Sequence, residues 1–162
     1  LKNLAKQYIP GRKVKGWLKL KPVLEPLDLV IVGATYGEGK RAKYLSSFRL
    51  ACLDTKSNKY LECGMASSGI KEKENDEGIN LIKISTLLDP LIVKKHGRDV
   101  EIKPKIVVEI KYEEVQKSPT YKSGYALRFP RLINIRIDKP LKDINTLKDI
   151  ERIYNNQRAK NI

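Results

Sequence analysis

Three short stretches carry side chains able to bind or turn over phosphate. The first, GATYGEGKRAK at residues 33 to 43, sets Gly37 and Gly39 beside Lys40, Arg41 and Lys43. Glycine lets the main chain approach an anion closely, and lysine and arginine replace the counterions that an anion otherwise holds. The second, GWLKLKP, holds Lys19 and Lys21 in alternation. On a strand, alternate residues point to one side, so two ammonium groups would converge on one site. The third, RFPRLINIRIDK, holds Arg128, Arg131, Arg136, Asp138 and Lys139. Its alternation sets Ile133, Ile135 and Ile137 on one face and Asn134, Arg136 and Asp138 on the other.

The glycine stretch nearly fits two nucleotide motifs. GATYGEGK is one residue too long for a Walker loop, and Arg41 stands where a serine or threonine would meet magnesium. GEGKRA matches a loose dinucleotide fingerprint. Both motifs need a helix next, because the helix N-terminus supplies the amides for phosphate. Here YLSSFRLACLD follows, and its apolar content reads as a strand. The expectation is a glycine-permitted connection between strands whose Lys40, Arg41 and Lys43 face a nucleic-acid backbone; a solvated basic hairpin is the alternative.

These stretches must be held by a frame, and its signals are mainly β. Strands are expected over 27–34 (LDLVIVGA), 48–54 (FRLACLD), 59–65 (KYLECGM), 106–112 (IVVEIKY) and 132–138 (LINIRID). DEGINLIKISTLLDPL, closed by Pro90, is a helix candidate between the third and fourth. A second helix is expected over NTLKDIERIY, capped by Asn145 or Thr146, with Leu147, Ile150 and Tyr154 as its apolar stripe. Five short strands with a helix between the third and fourth is the order of a five-stranded OB-fold barrel, here with a C-terminal helix.

Whole-chain properties agree. At 162 residues the chain is one or two domains, and its formal charge of +14 points to a polyanionic partner. No apolar run reaches membrane-spanning length. Cys52, Cys63 and the single His96 are too few for a zinc site or a disulfide scaffold. If Ser57-Asn58 is a two-residue hairpin turn, the thiols face each other; in a reducing cytosol they are expected buried and free, and a disulfide between them is the alternative in a hyperthermophile. Residues 1–24 carry seven cations and no acid, and Pro22, Glu25 and Pro26 make a hinge-like segment after them.

In this order, GWLKLKP, LDLVIVGATYGEGKRAKYLSSFRLA and YALRFPRLINIRIDK resemble the C-terminal part of ATP-dependent DNA ligases, closest to the archaeal and eukaryotic replicative type. KYEEVQKSPTYKSGYALRFPR is similar to the archaeal version in particular. The resemblance covers essentially the whole chain. It implies that residues 1–24 are the C-terminal edge of a nucleotidyltransferase (adenylation) domain and that 25–162 are the OB-fold domain. It implies that Lys19 and Lys21 contact the α-phosphate and the DNA 5′-phosphate in the adenylation pocket. Arg136 and Lys139, with Asp138, Arg131 and Arg128, would meet the pyrophosphate part of ATP. Gly37, Gly39, Lys40, Arg41 and Lys43 would lie on the face toward nicked duplex DNA. Asn134 departs from the pattern, standing where many relatives carry another arginine. SSGIKEKENDEG also departs, and reads as a variable loop.

No K-x-D-G motif, whose lysine carries AMP in this family, occurs in the chain. With its non-Met start, the chain is expected to be the C-terminal piece of a longer enzyme, inactive alone, with no metal ligand of its own. ATP and Mg2+ would then be bound mainly by the missing upstream domain. Implied partners are nicked duplex DNA, the enzyme's own adenylation and DNA-binding domains, and a sliding clamp, in an archaeal cytoplasm or a nucleus, with no membrane. Two alternatives stay open: a free-standing OB-fold that binds single strands, and the OB domain of an RNA-capping guanylyltransferase. Aromatics are 7% of the chain and few fall in strands (Phe48, Tyr112), which counts against base stacking. GxGKRAxY and SPTY…LRFPR favour the ligase.

Overall fold

The computed structural model describes residues 24–70 and 79–159. Nine strands and two helices follow in order: β1 (Leu27–Tyr36), β2 (Leu45–Asp54), β3 (Lys59–Ala66), α1 (Leu81–Leu88), β4 (Ile92–His96), β5 (Asp99–Ile102), β6 (Val107–Lys111), β7 (Glu114–Lys117), β8 (Tyr125–Arg128), β9 (Arg131–Ile135) and α2 (Leu147–Ala159). All five expected strands are present, with α1 between the third and fourth. Two hairpins, β4–β5 and β7–β8, add four more. Their segments are only four or five residues long and rich in lysine and glutamate, so their alternation was too brief to separate from loop.

The long strand β1 organises the sheet. It pairs with β2 along one edge; on the other its first half, Leu27–Val30, pairs with β6 and its second half, Gly33–Thr35, with β5. β2 continues to β3, and β6 to β9. The two ends of this path meet at one parallel bridge, Ser68 to Arg131, where the Leu132 N–H donates to the Ser68 carbonyl at 3.0 Å. The sheet therefore curls into an OB-type barrel without a continuous closing ladder.

The run Leu29–Val32 is apolar throughout because β1 is covered on both faces. Leu27, Leu29 and Ile31 enter the barrel core with Phe48, Leu50, Ile110 and Leu132. Val30 turns outward into a second cluster with Ala51, Val107 and Ile144, which the segment before α2 brings over the sheet. In α2, Ile150 and Tyr154 are buried, as the stripe required. Thr146 and Asp149 form a capping box. The Thr146 N–H and hydroxyl donate to Asp149 Oδ2 at 2.8 and 2.9 Å, and the Asp149 N–H returns to Thr146 Oγ1 at 3.3 Å. Farther along, the Gln157 amide exchanges two hydrogen bonds with the Val115 main chain (2.9 and 3.0 Å), fixing α2 to the β7 edge.

Two sequence expectations need correction. The β2–β3 loop is four residues, 55–58, with Asn58 at φ 54°, so Cys52 lies opposite Leu61 rather than Cys63. A register shift between Leu50 and Ala51 leaves Cys63 as the extra residue of a bulge. Both cysteines are free and buried. The Cys63 thiol is pushed well up, first by its hydrogen bond with Cys52 and then by burial. The isoleucine face of β9 is not uniform either. Leu132 is fully buried, whereas a register shift at Glu109/Ile110 leaves Ile133 unpaired and partly exposed, and Ile137 lies past the strand end, 74% exposed.

Candidate nucleic-acid interface and phosphate site

The connection from β1 to β2 is not a helix N-terminus but a single 3-10 turn, Gly39–Arg41, followed directly by β2. Its backbone is closed by Arg41 N–H to Glu38 O (3.0 Å), Ala42 N–H to Gly39 O (3.1 Å) and Tyr44 N–H to Arg41 O (2.9 Å). Gly39 has φ +55°, the left-handed region where a side chain is strained. Gly37 is needed for space: a Cβ there would lie 2.6 Å from Arg41 Cβ and 2.7 Å from its carbonyl oxygen. The two glycines thus fold the turn tightly, and Lys40, Arg41 and Lys43 are all exposed on it.

The β4–β5 hairpin stands against this turn and brings cations that lie outside the three motifs. Its two-residue turn, Gly97-Arg98, returns to β1: Tyr36 N–H donates to Arg98 O at 2.9 Å, and Arg98 forms an ion pair with Glu38. Thr35 Oγ1 donates to Asp99 at 2.6 Å, and Lys95 Nζ sits 4.7 Å over the Tyr36 ring. An open groove between turn and hairpin is lined by Tyr36, Lys40, Arg41, Ser46, Ser47 and Arg98. Hydroxyls and cations on a shallow floor suit a sugar-phosphate backbone better than an enclosed nucleotide.

The RIDK segment makes a separate site. Arg136 holds Asp138 with its guanidinium edge (Nε 3.2 Å, Nη2 3.1 Å). Its Nη1 lies 3.5 Å from Asp28 Oδ1, and Lys139 Nζ is 2.5 Å from Asp28 Oδ2. The Arg136 guanidinium beside Asp138 holds that carboxyl below its usual range. Two cations and two carboxylates leave this cluster neutral as it stands, so it presents phosphate-binding groups rather than a net positive field. Its donor types fit a phosphate: a planar fork and an ammonium, both about a quarter exposed.

The remaining expected residues divide. Arg128 pairs with Glu114 at 2.8 Å and lies 5.2 Å from the exposed Phe129 ring, whose backbone sits at φ 48°. Arg131 opens β9 opposite Lys111, beside the barrel seam. Arg136 lies just past the other end of that strand, roughly 15 Å away at the usual rise. Arg128 and Arg131 are therefore not brought together with Arg136 and Lys139 within this domain. Asp28 and the GEGKRAK turn likewise mark opposite ends of β1, roughly 25 Å apart. Lys19 and Lys21, with the whole segment 1–23, lie outside the described residues, as do residues 71–78 of the variable loop. Among the described residues no three His, Cys, Asp or Glu side chains cluster to hold a metal ion. No helix among them is long and apolar enough to cross a membrane.

A curled sheet with a helix between its third and fourth barrel strands is the architecture of an OB domain, here with basic groups on the β1–β2 connection. The family described as "ATP dependent DNA ligase C terminal region" matches residues 41–139, and the chain belongs to that family. It is 54% identical over 159 residues to a protein named DNA ligase from Nanoarchaeum equitans, covering 98% of this chain and 28% of that protein. It is 49% identical over 160 residues to the DNA ligase of Methanothrix thermoacetophila, covering 99% of this chain and again 28% of the relative. The chain thus spans little more than a quarter of the length of these relatives. Among solved structures it is similar to the ligase domain of LigD from M. tuberculosis, with a TM-score of 0.59 at 22% identity, over 88% of this chain and 45% of that one. A mycobacterial DNA ligase D complexed with ATP gives a TM-score of 0.56 at 21% identity, over 87% and 44%. At such identity these two speak for the fold alone.

Proposed function

We propose that this chain is the DNA-gripping and nucleotide-closing region of an archaeal ATP-dependent DNA ligase, working in the cytoplasm as part of a longer enzyme. The observation that carries the reading is the turn Gly37–Lys43. Its glycines hold Lys40 and Arg41, and the β4–β5 hairpin brings Arg98, onto one open groove, with Lys95 over the Tyr36 ring beside it. Such a face makes backbone contacts that give affinity and register on a nicked duplex without reading sequence. ATP, Mg2+, the nucleophilic lysine, Lys19 and Lys21 belong in this reading to the adenylation pocket. There AMP would pass from ATP to the enzyme, then to the DNA 5′-phosphate, and leave when the 3′-hydroxyl attacks.

Arg136 and Lys139 serve the first of these steps. With the domain closed over the pocket, they neutralise the departing pyrophosphate, and Asp138 yields the guanidinium edge that it holds here. The domain then turns about the segment 22–26 and offers the GEGKRAK face to DNA. Arg128 and Arg131, a strand's length from Arg136, meet a different part of the bound partner. A sliding clamp is a partner for the whole enzyme.

The test is fluorescence anisotropy of labelled nicked duplex with this chain across a salt titration. The triple variant Lys40→Ala, Arg41→Ala, Lys43→Ala should lower the slope of log affinity against log salt by about two to three units, near 0.9 per lost phosphate contact. An unchanged slope would remove the turn from the interface.

A further inference from the structure

Asp28 is the second residue of β1 and is not among the candidate site residues that the sequence singles out. Its carboxylate is 13% exposed and is shared between the two cations of the RIDK segment, with Oδ1 toward Arg136 and Oδ2 toward Lys139. Its main chain is clamped as well. The Asp28 N–H donates to Asn145 Oδ1 at 2.7 Å, and the Asn145 N–H donates back to the Asp28 carbonyl at 2.9 Å. On the sheet it lies opposite Glu109, which in turn lies opposite Asn134. Asp138, the other carboxylate on Arg136, is 70% exposed and has no such clamp.

The two acids therefore have different standing. An exposed carboxylate on a guanidinium is worth little and exchanges readily with another anion. A carboxylate fixed by strand pairing and a reciprocal pair of hydrogen bonds stays where it is. Without it, a lysine and an arginine on flexible stems would repel each other and spread over several rotamers. Cations act on a reacting phosphate only when aimed beforehand at the place where charge develops.

We propose that Asp28 is the positioning residue that aims Arg136 and Lys139 as a pair, with Asn145 fixing Asp28 from the segment that leads into α2. This rests on the reading that those two cations meet nucleotide phosphate. Asp28 touches the cations and not the reacting atoms. Since Asn145 immediately precedes the Thr146 cap, the seating of α2 reaches the phosphate-binding pair through one residue.

The experiment uses the full-length ligase that contains this chain, with Asp28→Asn, Asp28→Glu, Arg136→Ala and Lys139→Ala. Four quantities are measured: the rate of enzyme–adenylate formation at limiting and saturating ATP, equilibrium binding of α,β-methylene ATP, sealing of a pre-adenylated nick, and the thermal midpoint. Asp28→Asn should slow adenylate formation about ten- to a hundredfold, the range for a modest misplacement of catalytic groups. It should weaken binding of the analogue and leave sealing of the pre-adenylated nick within about twofold. Asp28→Glu keeps the charge but displaces it by one methylene, and should fall between wild type and Asp28→Asn. Normal adenylation in Asp28→Asn, with Arg136→Ala and Lys139→Ala both slow, would overturn the role of Asp28 and leave the cations' role standing. Normal adenylation in Arg136→Ala and Lys139→Ala would overturn the underlying reading. An equal loss in both chemical steps with a lowered midpoint would make Asp28 a support of the fold only, and the proposal would be wrong.

Discussion

Tyr112 follows directly on β6 and packs into the barrel core at 9% exposure, and its hydroxyl finds no hydrogen-bond partner among the described residues. Burial, with the charge of Glu25 second, pushes its ionisation up to about 12. An unfolded tyrosine ionises near pH 10. The buried ring therefore contributes fully below pH 10, and that contribution falls as pH rises toward 12, because the unfolded chain gives up the proton first. Two pH units of difference correspond to roughly 2 to 3 kcal/mol lost across that window. Tyr112→Phe should remove this loss. Near neutrality it should be neutral or stabilising by up to about 1 kcal/mol, since an unpaired buried hydroxyl costs about 1 to 3 kcal/mol, partly offset by the small void. Urea denaturation of both proteins at pH 7 and in steps from pH 9 to 11 gives the comparison. The difference between them isolates Tyr112 from the other titrating groups. A loss above 1 kcal/mol for the variant at pH 7, or the same alkaline decline in both proteins, would refute the reasoning.

Three further outcomes follow from the site and its supports. Asp149→Ala breaks the capping box and should cost about 0.5 to 2 kcal/mol in urea unfolding. Burial alone would raise the Asp149 carboxyl, but the Thr146 amide and hydroxyl outweigh it and hold the group below its usual range. The cap's contribution is therefore complete above about pH 4 and is lost as pH falls further; acid unfolding of wild type and variant should converge there. Gly37→Ala must move Arg41, whose Cβ and carbonyl stand in the way, and should reduce the salt slope of DNA binding by about one unit at a cost of about 1 kcal/mol in urea unfolding. Phe48→Ala, in the centre of the barrel, should cost about 3 to 5 kcal/mol and serves as the contrast, a loss of fold rather than of the face.

Sequence periodicity located the barrel because its strands are long enough to repeat. LDLVIVGA declared itself by a continuous apolar run, which the structure explains by two separate cores on its two faces. The α2 stripe and its cap at Thr146 were legible for the same reason. The short hairpins were not: IVKKH and DVEI offer two turns of alternation each, and only DVEI joins the main sheet directly, on β1 more than sixty positions earlier. Register shifts were also invisible, so the pairing of Cys52 and the burial of Leu132 instead of Ile133 had to come from the structure. The turn's cations could be singled out from glycine and lysine spacing alone. Asp28 could not, because a single acid in an apolar strand signals nothing until the fold sets Arg136 and Lys139 upon it.

The most direct test is competition, in one anisotropy experiment, between nicked duplex and a single strand of equal length and mixed sequence for this chain. The account predicts that duplex is preferred, that changing its sequence has little effect, and that affinity falls steeply with salt as a face making several phosphate contacts requires. A preference for the single strand with shallow salt dependence would contradict it, and would point to bases stacked on aromatic rings in place of a groove that follows the duplex backbone.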